Sequence, residues 1–185
     1  MWWKIASILL LAGVFLVGLL VPLYPGLQMD NPEILTPGNT ETVELRGYNT
    51  FFTQTGDSTR VWLTFKNKYA LQATRVEAKD DVTLLARFEV PANLPVTDKS
   101  MSLDVLVDDP VHGAMGLNSV ARIQPDAPLQ TSNDSAWRVA EVRDLHKNTA
   151  FRYTILPNNY ESIRNLFFHV PMWMVMMVMF LLSVW

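Results

Sequence analysis

Two apolar blocks, one at each end, limit what this chain can fold into. From Ile5 to Met29 no residue carries a charge. Its strongest part, residues 5–23, reaches about 28 Å as a helix, close to the hydrocarbon thickness of a bilayer. The second block, residues 166–185 (LFFHVPMWMVMMVMFLLSVW), holds one His and one Ser and no formal charge. Apolar residues fall on all its faces without a polar stripe, so it reads as a membrane span rather than a core helix. Its apolar pattern is still running at Trp185, and the expectation is a piece of a longer multi-span protein.

These blocks explain a composition that is 49% hydrophobic and only 18% charged over 185 residues. Purely soluble, disordered and collagen-like chains are excluded. The net charge is −3 and no Lys/Arg-rich run occurs, which argues against nucleic acid as a partner. With no cysteine, disulfides, zinc thiolates, thiol nucleophiles and covalent haem attachment through CxxCH are excluded together.

Lys4 and the amino terminus are the positive charges at the first span. They hold that end in the cytoplasm. A cleaved signal peptide is the competing reading. The short charged region, the long apolar run, the absence of A-x-A and Pro22 all favour an uncleaved anchor over residues 1–23. Fourteen of the 15 basic residues and all 18 acidic ones lie between the spans. With Lys4 inside, that segment is extracytoplasmic, and the chain is placed in the cell (inner) membrane as a multi-pass protein.

Seven stretches of the middle alternate at period two: residues 41–46, 59–65, 73–78, 82–90, 100–107, 135–142 and 151–156. Turn signals separate them, at Pro37-Gly38-Asn39, Gly56-Asp57, Lys79-Asp80-Asp81, Pro91 to Pro95, Asp109-Pro110 and Pro125 to Pro128. The pattern predicts an all-β sandwich over residues 24–157. The opening LTPGNTETVELRGYNTFF resembles the first strands of immunoglobulin-like domains. Asp80-Asp81 and Asp108-Asp109 are acidic pairs in turns, able in principle to hold a hard cation but more often bonded to nearby amides. His112 and His146 read as surface or loop residues. No GxSxG, HExxH, Walker A or GxGxxG motif is present, and the chain is not expected to be an enzyme.

Asn158 or Asn159 is placed to cap a short interfacial helix over residues 158–168, with Glu161 in its positive first turn. His169 follows at the bilayer edge. Pro171 cannot donate to the Phe167 carbonyl, so a kink or a fresh helix start is expected there, with the second span running over residues 169–185. Trp173 lies four residues past His169, on the same face. An ionisable group in a span is a functional candidate, and imidazole is an axial haem ligand.

Arg164-x-x-x-x-His169-Val170-Pro171, entering an apolar helix, resembles the second span of the CcmC/CcsA family, with the match running from Tyr160 to Trp185. These are membrane proteins that handle haem for cytochrome c maturation. The resemblance implies haem export with non-covalent haem b held at the outer membrane face, and His169 as one axial iron ligand. It implies Trp173 packing near the porphyrin and Arg164 attracting a propionate. The implied partners are haem, the lipid bilayer and other cytochrome c maturation proteins. Arg164 stands about 140° from His169 on an ideal helix, so the propionate role needs the expected kink. The family's Trp-rich motif and second axial His have no counterpart here, so the resemblance is to its amino-terminal portion. The alternatives are a membrane-anchored β-sandwich scaffold or docking subunit without its own haem site, and a subunit whose spans pair with a separate haem-binding chain.

Overall fold

The computed structural model describes residues 2–28, 32–55, 58–95, 100–123, 136–154 and 162–184. The expected cap at Asn158 or Asn159, the turns at Gly56-Asp57 and Pro125 to Pro128, and Trp185 lie outside them. The chain divides into two units. One joins Met1–Tyr24 with Ala150–Trp185, and the other is Pro25–Thr149.

The first unit holds two helices, α1 (Trp2–Leu20) and α2 (Ser162–Val184). α1 and the Arg164–Val184 part of α2 are long and apolar enough to cross a membrane, by length and composition. Their Leu, Val, Met and Phe side chains are exposed on every face, which only an apolar surrounding makes favourable. α1 closes with Val21 N donating to the Val17 carbonyl, and Pro22, which has no N–H, does not extend the helix.

α2 departs from expectation in two ways. Residues 162–168, read as part of a separate interfacial helix, belong to the same helix as His169. The helix also continues through Pro171 without a break. One unmade bond at the Phe167 carbonyl removes a single rung, and the turns on either side hold the helix.

The second unit is all-β and has two sheets. Its strands are β1 (Gly26–Gln28), β2 (Glu33–Leu35), β3 (Thr40–Tyr48), β4 (Arg60–Phe65), β5 (Tyr69–Gln72), β6 (Arg75–Ala78), β7 (Thr83–Glu89), β8 (Met101–Asp109) and β9 (Gly113–Ile123). One sheet has the order β1-β3-β7-β6 and the other β2-β9-β8-β4-β5. All pairings are antiparallel except β2 with β9. Alternation sends one face of each sheet into a shared core: Val43 and Leu45 of β3 and Leu84, Ala86 and Phe88 of β7 from one side, Val61 and Leu63 of β4 and Leu103, Val105 and Val107 of β8 from the other. Gly38, at φ +83°, takes the left-handed position of the turn before β3.

Two expected strands are not formed. Residues 136–142 make a turn and a short 3₁₀ segment, Val139–Glu141. Here Trp137 is buried while Val139 is exposed, so the segment presents no continuous apolar face to a sheet. Of residues 151–156, the described part makes one bridge, Tyr153 to Leu23, in the helical unit. Conversely, β9, the longest strand, has no alternating signature. Its GAMGLNSVARI carries two Gly and an Asn, and the ladder with β8 sets it instead. A bulge between Leu103 and Val105 accommodates the irregularity, with Ser119 at φ +56° and its N–H held by Asp104 Oδ1 at 2.8 Å.

Candidate functional site

On α2, His169 and Trp173 stand one turn apart, and both side chains are exposed. Among the described residues none is hydrogen-bonded to the His169 ring. Trp173 borders an open apolar groove that Met176, Met177 and Phe180 continue along the helix. His169 does not line that groove, which begins at Trp173. A single exposed imidazole is a donor of the kind haem iron takes.

Arg164 is placed differently. Its Nη1 lies 3.1, 3.1 and 2.7 Å from the carbonyl oxygens of Gly18, Leu19 and Val21. Those are carbonyls at the end of α1, which lack intrahelical partners and gather negative partial charge. Arg164 Nη1 therefore caps α1. Around it the helices meet closely. The Phe15 and Phe168 rings stack at 5.3 Å, and a Cβ at Gly18 would stand 2.7 Å from Phe168 Cε1 and 3.1 Å from Phe167 Cδ1. A larger residue at Gly18 would require the Phe168 ring to move. The spacing of Arg164 from His169 gave no sign of the cap, because its acceptors lie about 145 residues away in sequence.

The β unit contains a second cluster that the sequence did not disclose. Asp108 and Asp109 end β8 rather than sitting in its turn, and both are fully buried. Asp109 Oδ2 accepts from the Thr55 hydroxyl at 2.7 Å and the Thr59 hydroxyl at 3.1 Å. Its Oδ1 accepts from the amides of Val111 (2.9 Å) and His112 (2.7 Å) and from His112 Nδ1 (2.8 Å). His112, expected at the surface, is only 3% exposed because this carboxylate satisfies its ring inside the fold. The amide bonds are the local turn habit of Asp, and the His and Thr bonds are tertiary.

Asp108 faces the other way. It accepts both Nε and Nη2 of Arg60, the latter at 2.5 Å, and the amide and Nδ1 of His146 at 2.7 and 2.9 Å. Arg60 also donates to the Asp144 carbonyl at 2.9 Å and lies over the Trp62 ring. Residues 144–146 are thereby tied across the outer face of β4 and β8. Burial raises the pKa of each carboxyl, but hydrogen bonds outweigh it. Those from Arg60 and His146 hold Asp108 below the usual carboxylate range, and those from His112 and Thr55 hold Asp109 lower still.

These pairs account for His112 and His146 as carboxylate partners. Among the described residues no group of three or more His, Asp or Glu is placed to hold a metal ion, and the Asp80 carboxylate accepts from the Val82 amide at 2.8 Å.

No family model matches the chain, and no curated protein matches it. Among solved structures it is similar to a superoxide reductase (neelaredoxin) from Ignicoccus hospitalis, with 9% identity, 58% of this chain and 86% of that chain covered, and a TM-score of 0.33. At that level the likeness bears on neither ancestry nor chemistry.

Proposed function

We propose that this chain acts in CcmC/CcsA-like haem handling for cytochrome c biogenesis, with haem b held non-covalently at the outer membrane face. The observation that carries the reading is His169: an exposed imidazole without a described partner, on an apolar helix, one turn from Trp173. Haem would supply an iron that binds imidazole nitrogen. His169 would hold that iron, and Trp173 would contact the porphyrin. Arg164 fixes α2 against α1 through Nη1, and attracting a propionate stays its further role in this reading. His112 and His146 are bound to carboxylates, so neither is assigned to the iron. The protein carries and presents haem and catalyses no reaction of its own.

In this reading both helices span the cell membrane, with Lys4 in the cytoplasm and the β unit outside. The β unit is immunoglobulin-like. Its sheet orders, β1-β3-β7-β6 and β9-β8-β4-β5, correspond to the A-B-E-D and G-F-C-C′ orders of such domains, and a parallel β2 lies beside the last strand.

The test is haem titration of the full chain in nanodiscs without added imidazole. A histidine-ligated haem spectrum should appear with the parent chain and with Met172→Ala, and should be lost with His169→Ala. Equal uptake and an unchanged spectrum in His169→Ala refute the haem reading. The result would then favour the second reading, an anchored scaffold or docking subunit. The Arg164 cap is compatible with that alternative, because it joins the two helices whether or not haem is bound.

A further inference from the structure

Three loops meet at one end of the β unit. Thr50 Oγ1 and the Phe52 amide both donate to the Asp81 carbonyl, joining the β3–β4 loop to the β6–β7 loop. Phe51 and Phe52 flank the His112 ring at 6.0 and 6.4 Å, joining both to the β8–β9 turn. The chain also enters and leaves the unit here. Gly26 of β1 pairs with Tyr48 at the end of β3, and the His146 carbonyl accepts from Ala114 N at the start of β9.

Loop ends of extracytoplasmic β domains are ordinarily polar. Part of the polar chemistry at this end is buried: Asp109, Thr55, Thr59 and His112 close on one another in the interior. Asp80 and Asp81 stay exposed, accepting from the Val82 amide and the Thr53 hydroxyl. Beside them apolar side chains also reach the surface: Phe51 is 45% exposed, Val82 47% and Val111 56%. Each alone would be unremarkable, but three on neighbouring loops of one end form a contact surface.

We propose that this end rests in the interfacial region of a lipid bilayer, with Phe51, Val82 and Val111 as its apolar contacts. Chain continuity selects the occupant. Five residues lie between Leu20, the last of α1, and Gly26, so the chain's six Cα steps reach at most about 20 Å between a helix fit to span a membrane and this end of the unit. The exposed charges nearby are mixed in sign, with Asp80 and Asp81 against Lys147 and with Lys79 near Glu44 at 3.9 Å. Contact is therefore apolar in origin and insensitive to salt and to anionic lipid. The proposal rests on the two helices spanning a membrane and is independent of haem.

The absence of cysteine makes single-cysteine labelling clean. The full chain in phosphatidylcholine nanodiscs carries an environment-sensitive dye at Phe51→Cys, Val111→Cys or Asn93→Cys. Asn93 is exposed and follows β7, at the end of that strand away from these loops. Emission at positions 51 and 111 should shift to the blue and be quenched by acyl-chain-brominated lipid, while position 93 stays water-like. Unchanged thermal unfolding of each labelled chain establishes that the fold is retained. Water-like emission at 51 and 111 overturns the proposal. So does a blue shift without lipid quenching, which assigns the surface to a protein contact.

Discussion

Replacing Asp109 by Ala tests whether the buried cluster at the end of β8 holds the β unit together. The carboxylate accepts five hydrogen bonds. Two donors keep another acceptor after its removal: the Thr55 hydroxyl also reaches the Phe52 carbonyl, and the Thr59 hydroxyl reaches Thr55 Oγ1. The His112 amide and ring Nδ1 are buried and have no alternative among the described residues. Each such donor costs about 1–3 kcal/mol when stranded. Removing one member of a buried pair costs about 3–5 kcal/mol, which sets the expected loss for Asp109→Ala. Against a total stability of roughly 5–15 kcal/mol this is a large fraction, and it lowers the melting temperature by about 10 °C or more. Asp109→Asn keeps an acceptor for the two amides and loses about 1–2 kcal/mol. The assay is urea unfolding of residues 25–149, followed by far-ultraviolet circular dichroism, with the midpoint shifting and the slope unchanged. A loss under about 1 kcal/mol for Asp109→Ala refutes the reasoning, because the His112 donors would then have found other partners at no cost.

Acid should act on the same cluster. Asp108 and Asp109 are both held below their unfolded-state pKa, so their stabilisation is complete above about pH 4 and is lost as the pH falls below it, measured as a falling urea midpoint. Gly113→Ala should destabilise by at least about 1 kcal/mol in the same assay: Gly113 sits at φ +81°, and a Cβ there would lie 2.8 Å from the Asn148 amide nitrogen. Arg164→Ala should speed amide exchange in the last turn of α1 in nanodiscs, with Arg164→Lys intermediate; an unchanged rate would mean that the cap contributes nothing. In spheroplasts, added protease should digest the β unit while a tag at Met1 stays protected, and a protected β unit would reverse the assigned orientation.

The sequence by itself determined the features that depend on local pattern. Uncharged runs long enough to span a bilayer mark both helices, because hydrocarbon excludes charge and demands a continuous backbone ladder. Period-two alternation located β3, β4, β6, β7 and β8, since each has one face in the core. The turn before β3 was legible because Gly38 takes a backbone conformation that costs other residues energy. Tertiary structure decided the rest. β9 is a strand because β8 and β2 flank it with unpaired backbone groups, not because of its own Gly- and Asn-containing residues. Residues 136–142 alternate as well as several true strands do, yet no sheet presents them a matching apolar face. Arg164 and the Asp108–Asp109 cluster make the same point about sites. Their partners, Gly18 to Val21, Thr55, Arg60 and His146, are remote in sequence, and a buried charge is defined by the groups that fold around it. His169 and Trp173 were legible because their relation is four residues on one helix, a spacing that secondary structure alone fixes.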